Sequence, residues 1–310
     1  MRYNNAGKIR SSKFSETLVP LDDLTITGIR GHILNRKKFN VLSLGGGKQS
    51  STLFLKNLRG EIQPPAHFAI FADTMWERKK TYSYLDYLDE LAIQHNFPKI
   101  WRVSAGNIKE NMLFGGSIFR ENTIPFWVLS QDKTKASMIQ RRCSRHYKVF
   151  AIRREIRKVF SMNPYTIWIG FSLDEVSRRN DSRFPSYQTP RYPLLEQRLT
   201  RDQCVAYLEN NNFEVPVKSS CVCCPYRKHP EWLEMSQNNP EEFQEAVDFG
   251  KQMKNKLKNI KHFKNADIPE EKGGGLYLTR ALKDLDKIDL HKYKDSTEED
   301  EAECGHGCFL

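Results

Sequence analysis

A doubly wound α/β fold, with a mainly parallel sheet flanked by helices, is the architecture this chain predicts. Three observations carry that expectation. The apolar segment 41–44 runs directly into Gly45-Gly46-Gly47 and a polar helix start at Lys48-Gln49-Ser50-Ser51. Short apolar runs at 67–71, 100–103 and 165–170 alternate with helical spacing, the strand-helix-strand rhythm of such a sheet. The second run ends at Ala72-Asp73-Thr74, a polar strand end of the kind where open α/β sheets place their sites.

Residues 1–38 are mixed and predict an N-terminal arm or extra strands, with 26–33 as a short strand. Residues 39–215 are expected to form the α/β domain, with the glycine segment at 45–47 as its candidate nucleotide-binding turn. A helix over 50–57 follows the glycines, and Tyr82, Leu85, Leu88, Leu91 and Ala92 recur at helical spacing. Residues 107–135 hold Gly115-Gly116 and Pro125 with few clean periods, and read as a substrate-facing lid or as an awkward loop with a short helix. A basic helix over 147–160 precedes the 165–170 strand, and 199–211 form a helix with Thr200 as N-cap. Residues 216–310 predict a cysteine-rich turn, helices at 232–235 and 240–258, a hinge at 273–275 and a cysteine-bearing tail, all packing on the same domain.

At 310 residues the chain buries a core of its own without staples. Formal net charge is +11, with basic density at Arg141-Arg142, Arg153-Arg154 and 251–264. Such a surface favours polyanions, nucleic acid among them, because phosphate contacts release condensed counterions; the plainer reading is a merely soluble basic surface. The acidic stretch 297–301 is solvated or lies against a basic face. No apolar run reaches membrane-spanning length and the polar start lacks a secretory stretch, so a cytoplasmic protein with no membrane partner is expected.

Glycines at 45–47 let backbone N–H groups converge on an anion, and the unpaired N–H groups of the next helix add positive potential there. The bland alternative is a tight turn with glycines for close packing. The spacing is not that of a P-loop kinase, since Gln49 separates Lys48 from Ser50, and the alternating glycines of a dinucleotide fold are missing.

What this passage resembles is the PP-loop of the adenine nucleotide alpha hydrolase and PAPS reductase-like superfamily, Ser-Gly-Gly-x-Asp-Ser, with Gly45 and Gln49 as departures. A Gly-x-Gly-x-Gln-Ser branch of that group carries the same variant. The resemblance continues in order through Phe71-Ala72-Asp73-Thr74, Trp76-Glu77, Cys143-Ser144 to Tyr147-Lys148, the 169–175 strand and loop, Tyr192-Pro193-Leu194-Leu195, and Cys221 to Tyr226. It implies a nucleotide at the C-terminal edge of a parallel sheet. Ser43, Gly45, Gly46, Gly47, Lys48, Gln49, Ser50, Ser51, Asp73 and Thr74 would surround ATP with Mg²⁺, with Lys48, Asp73 and Cys304 as catalytic residues. Without the usual aspartate, the metal role would fall on the phosphates, Asp73, Asp174 or another carboxylate.

Cys221 and Cys224 have the two-residue separation that lets one tight turn direct two sulfurs to a metal, which suits both zinc and iron–sulfur. The plainer reading is buried thiols. The resemblance adds Cys143 and either Cys304 or Cys308 as companions, and favours a [4Fe–4S] cluster held by Cys143, Cys221, Cys224 and Cys308, with Zn²⁺ as the alternative. Cys223 is a spare thiol or core, and Cys204 packs inside its helix. Arg145, Lys148, Arg178, Arg179, Arg183 and Arg191 would grip substrate phosphates, or are solvated charge with surface ion pairs; Tyr187 and Tyr192 would stack on bases or simply pack.

The resemblance implies ATP-dependent sulfur transfer to a nucleic-acid base or nucleotide through an adenylylated intermediate, with tRNA or DNA as substrate, a sulfur donor protein as partner, and self-association compatible with it. One alternative is sulfonucleotide reduction, because Glu303-Cys304-Gly305-His306 resembles the terminal Glu-Cys-Gly-x-His element of PAPS reductases with the histidine one place early. Another is a non-catalytic, metal-stabilised nucleic-acid-binding or defence-complex component, for which Gln49 in place of a carboxylate is the best support.

Overall fold

The computed structural model describes residues 38–115, 124–129, 135–161, 163–258 and 275–294. Residues 1–37 of the expected arm, most of the expected hinge, and the tail with Cys304, His306 and Cys308 lie outside them.

The architecture is a mixed α/β fold built on a parallel sheet. Strands β1 (Phe39–Leu44), β2 (Phe68–Asp73), β3 (Trp101–Ser104), β6 (Tyr165–Ile169) and β7 (Gln188–Arg191) form one sheet in the order β3-β2-β1-β6-β7, every neighbouring pair parallel. A separate antiparallel pair joins β4 (Trp127–Leu129) to β5 (Ala136–Met138).

Alternation along the central strands sends side chains to two cores. Phe39 and Val41 face the side covered by helix α4 (Phe150–Phe160) through Ala151, Ile152 and Ile156. Leu42 and Leu44 face the side covered by α1 (Lys48–Leu58), α2 (Lys79–Gln94), the short α5 (Pro193–Glu196) and α6 (Arg201–Asn210). Near-continuous burial of β1, β2 and β6 follows from helices on both faces.

A third core joins the site edge to the C-terminal helices. Trp76 and Tyr147 pack with Trp232 of α7 (His229–Asn238) and with Phe249 of α8 (Pro240–Lys258), the indole of Trp76 meeting the Phe249 ring at 4.8 Å. Arg78, 3% exposed, cements the junction by pairing with Glu242 at 3.2 Å and Glu234 at 3.0 Å. The described parts of 107–135 join this core too: α3 (Ile108–Phe114) buries Ile108 and Met112, and Ile124, Phe126 and Val128 are buried beside them.

Among the described residues no helix is long and apolar enough to cross a membrane.

Candidate functional site

Strand β1 lies inside the sheet, with β2 on one side and β6 on the other, so the chain reverses its direction of travel across the sheet there. Open α/β sheets open a crevice at such a switch point, outside the carboxyl ends of the strands. Gly45, Gly46 and Gly47 occupy that position. Gly46 has φ +71°, a left-handed backbone that L side chains enter at a cost. Ser50 wires the turn: its hydroxyl accepts from the Gly45 N–H at 3.1 Å and donates to the Gly47 carbonyl at 3.1 Å. Gly47 caps α1 without any side-chain cap, so the first-turn amides keep the unpaired donors of a helix start.

Lys48 opens the helix and is half-buried, whereas Ser51 is fully buried with its hydroxyl toward Tyr84. Ser43 sits within β1, registered against Ile70 and Ile169. Gly170, at the end of β6, approaches the helix start so closely that a Cβ there would stand 3.0 Å from Ser50 Cα and 3.1 Å from its nitrogen. Gln49 donates its side-chain amide to Glu175 Oε2 at 3.2 Å, and Glu175 in turn pairs with Arg178.

Next to this turn, β2 ends in a polar knot. Asp73 Oδ1 accepts from the Met75 N–H at 2.7 Å and from the Tyr82 hydroxyl at 2.9 Å. Burial pushes the Asp73 carboxyl up, more than those two hydrogen bonds pull it down. Thr74, 1% exposed, donates to Glu77 Oε1 at 3.1 Å and lies 3.3 Å from Cys221 Sγ. The same Glu77 oxygen receives Lys148 Nζ at 3.4 Å and the Cys221 thiol at 3.8 Å. Burial works against the Lys148 ammonium, but the Glu77 carboxylate leads the interactions that hold its pKa above the ordinary value. A backbone bridge between Glu77 and Cys221 fixes the knot.

The metal expectations are corrected by this arrangement. Among the described residues no group of three or more His, Cys, Asp or Glu side chains could hold a metal ion, so Cys143, Cys221 and Cys224 do not form the expected iron–sulfur or zinc centre, and Asp73 and Asp174 do not form one for Mg²⁺. The physical reason is that Asp73, Cys143, Cys221 and Asp174 are already engaged or desolvated. Cys221 is committed to Thr74 and Glu77, and burial, then Glu77, pushes its thiol well above the usual range. Burial, then Cys224, pushes Cys143 up to about 11. Asp174 accepts from the Ser172 hydroxyl at 3.2 Å and the Arg201 N–H at 2.5 Å. Cys308 and Cys304 lie outside the described residues.

The arginine series divides. Arg191 is a staple: it pairs with Glu196 at 2.8 Å and donates to the Gln63 and Pro64 carbonyls at 2.8 and 3.0 Å. Arg179 pairs with exposed Asp181 at 2.6 Å and covers the Tyr192 ring. Arg178 is bound to Glu175 beside Gln49, and Arg183 is exposed. Arg145 is exposed over the Phe150 ring, apart in role from Lys148 inside the knot. Tyr192 is 5% exposed and stacks on Phe171, a packing position; Cys204 and Cys223 are fully buried.

The structure therefore brings the glycine turn, Gln49 and the Asp73 to Thr74 strand end to one sheet edge, and adds Glu77, Gly170 and Glu175, to which sequence reasoning gave no role. Glu77 lies four residues past Asp73 in the quoted Trp76-Glu77 pair, and that proximity was the available signal. Compared with protein-family models and with curated proteins, the chain matches none.

Proposed function

We propose that this chain is a PP-loop-type nucleotide enzyme, a doubly wound fold akin to adenine nucleotide alpha hydrolases and PAPS reductase-like proteins. It activates an oxygen of a nucleic-acid base or nucleotide with ATP and replaces that oxygen by sulfur. The observation that carries the reading is the Gly45-Gly46-Gly47 turn, placed at the carboxyl end of β1 at the switch point and followed by an uncapped helix start.

In this reading the first-turn amides of α1 and Lys48 bind the phosphates, and Ser50 holds the turn open to them. The substrate oxygen attacks the α-phosphorus, the bond to the β-phosphate oxygen breaks, and pyrophosphate leaves. A sulfur nucleophile delivered by a donor then adds at the activated carbon, and AMP departs with the former substrate oxygen. Asp73, which accepts hydrogen bonds from Tyr82 and Met75, orients the substrate in this reading.

The test is joint measurement of pyrophosphate and AMP from ATP with candidate RNA, DNA and nucleotides present. The expected result is pyrophosphate in step with AMP, and a loss in kcat/KM of about 100-fold or more for Lys48→Ala. No ATP binding by equilibrium dialysis at millimolar ligand sinks the proposal. The bond from Gln49 to Glu175 favours one second reading, a nucleotide-responsive binding protein without turnover. It predicts ATP binding with no pyrophosphate at all.

A further inference from the structure

The outer face of α4 is not used by the nucleotide site, and it carries four cationic side chains, Arg153, Arg154, Arg157 and Lys158. A groove of about 570 Å³ lies along it, lined by Arg153, Arg154, Arg157 and Lys158 with Phe150 and Tyr187, and by no carboxylate. We infer that this groove binds a single strand of nucleic acid, the substrate strand of the reaction proposed above, on which reading this inference rests for its purpose.

Charge is the first argument. Helix α4 carries a single acidic residue, Glu155, which is 8% exposed and is shared by Arg154 at 2.7 Å and Lys158 at 2.9 Å. Arg153 spends its hydrogen bonds on neutral oxygens, Gln188 Oε1 at 2.8 Å and the Arg183 carbonyl at 3.3 Å, and so keeps its charge uncompensated. Arg157 lies over the Tyr187 ring at 5.8 Å, and Arg145 over the Phe150 ring at 5.1 Å. The positive field is felt locally: after burial, Arg145 and Arg142 hold His146 below the usual imidazole range.

Aromatic spacing is the second argument and selects the occupant. Phe150 is 38% exposed, a large apolar ring in cationic surroundings, and Tyr187 is half-buried further along the groove. Stacking platforms beside a basic track are the means by which proteins hold unpaired bases, which a duplex withholds and an acidic peptide lacks. Phe150 and Tyr187 sit toward opposite ends of a helix about 16 Å long, room for about four or five nucleotides.

Placement is the third. Arg154 donates to the carbonyl of Ser104, the last residue of β3, at 2.7 Å, so the N-terminal half of α4 stands at the carboxyl edge that carries the glycine turn. Tyr187 directly precedes β7 and marks the opposite edge. A strand in the groove therefore leads toward the sheet edge that carries the nucleotide site.

The experiment measures anisotropy of fluorescein-labelled 12-nucleotide RNA, single-stranded DNA and DNA duplex with the full chain, across 50 to 200 mM salt. The single strands are expected to bind, with Arg157→Gln/Lys158→Gln weakening them at least tenfold and flattening the salt slope by about one to two. Phe150→Ala should weaken single strands by at least fivefold while leaving duplex binding unchanged. Arg59→Gln/Arg201→Gln, on the opposite sheet face, should change neither. Equal loss from both basic pairs, unchanged binding by Phe150→Ala, or equal competition by polyglutamate overturns the inference in favour of a non-specific or acidic-protein surface. Photocrosslinking of 5-bromouridine RNA to the unaltered protein is a check independent of any variant, and crosslinks that avoid 145–161 and 187 also overturn it. Strand binding without pyrophosphate release would refute the catalytic reading alone. Pyrophosphate release on a mononucleotide without strand binding would refute this inference alone.

Discussion

The side-chain amide of Gln49 donates to Glu175 across 126 residues of chain, at 3.2 Å. An aspartate, which the resembling PP-loop carries at this place, would set one carboxylate against another. The amide is thus the residue that fits a turn whose carboxylate arrives from the loop after β6.

Gln49→Asp should therefore destabilise the fold by about 1–2 kcal/mol, because it exchanges a hydrogen bond to a charged acceptor for repulsion. Glu175→Gln in the same chain should recover most of that loss. Chemical denaturation of the four proteins in this cycle reads the coupling, and additive single effects would show that the two side chains do not act on each other.

Gly170 has no room for a methyl group, since backbone atoms of Ser50 rather than a flexible side chain stand 3.0 to 3.1 Å from where its carbon would lie. Gly170→Ala is expected to cost about 1–3 kcal/mol and to move the start of α1. Nucleotide affinity should fall with it, read by calorimetry at a temperature where the variant is folded. Unchanged affinity would separate the helix start from the ligand.

Removing one partner of the Lys148 and Glu77 pair leaves the other buried without its counter-charge. Lys148→Met should destabilise by about 3 kcal/mol, and the double variant Lys148→Met/Glu77→Gln by less than Lys148→Met alone. In the unaltered protein, Cys221 should react slowly with iodoacetamide at pH 7.5, because burial and Glu77 favour its neutral thiol. Thiol mapping by mass spectrometry decides it; rapid labelling of Cys221 would show that its thiol ionises readily, against this expectation.

Asp284 predicts an acid limb. Burial favours its neutral form, but Lys254 and Lys287 outweigh burial and hold the carboxyl below its ordinary 3.8. A lowered folded value means the pair's stability is full above about pH 4 and is lost as pH falls through that lowered value. Asp284→Asn should melt earlier than the parent at pH 7, with the gap closing toward pH 3. A gap of constant size would exclude linkage to this carboxyl.

Much of the fold was legible because its signals are local. Thr200 accepts from the Gln203 N–H at 3.2 Å in a full capping box, and the helix it starts, Arg201–Asn210, lies within the expected 199–211. The helix expected over 147–160 instead begins as a π-helical turn at Ser144–Val149 before its α segment. Strand β7 escaped notice because Gln188-Thr189-Pro190-Arg191 is polar and carries a proline, a composition that only a sheet edge tolerates. The helix at His229–Asn238 starts earlier than 232 because Pro230 suits a first turn.

The candidate site was legible in part for the same reason. Three glycines before a polar helix start announce their turn within a few residues. Cysteine spacing at 221 and 224 announces a turn as well, with the Cys224 N–H reaching the Cys221 carbonyl at 3.1 Å, but not where the sulfurs go. Thr74 and Glu77, remote in sequence, claimed Cys221 instead.

By itself, then, the sequence determined the turn at 45–47, the caps and periods of its helices, and the alternation that builds a parallel sheet, since backbone sterics and side-chain period act over a turn or two of chain. Only the tertiary structure decided that β1 would lie between β2 and β6, that Gln49 would meet Glu175, and that Glu77 would gather Thr74, Lys148 and Cys221. Those pairings close loops of up to 147 residues, and packing of whole helices and strands, not any local preference, selects them.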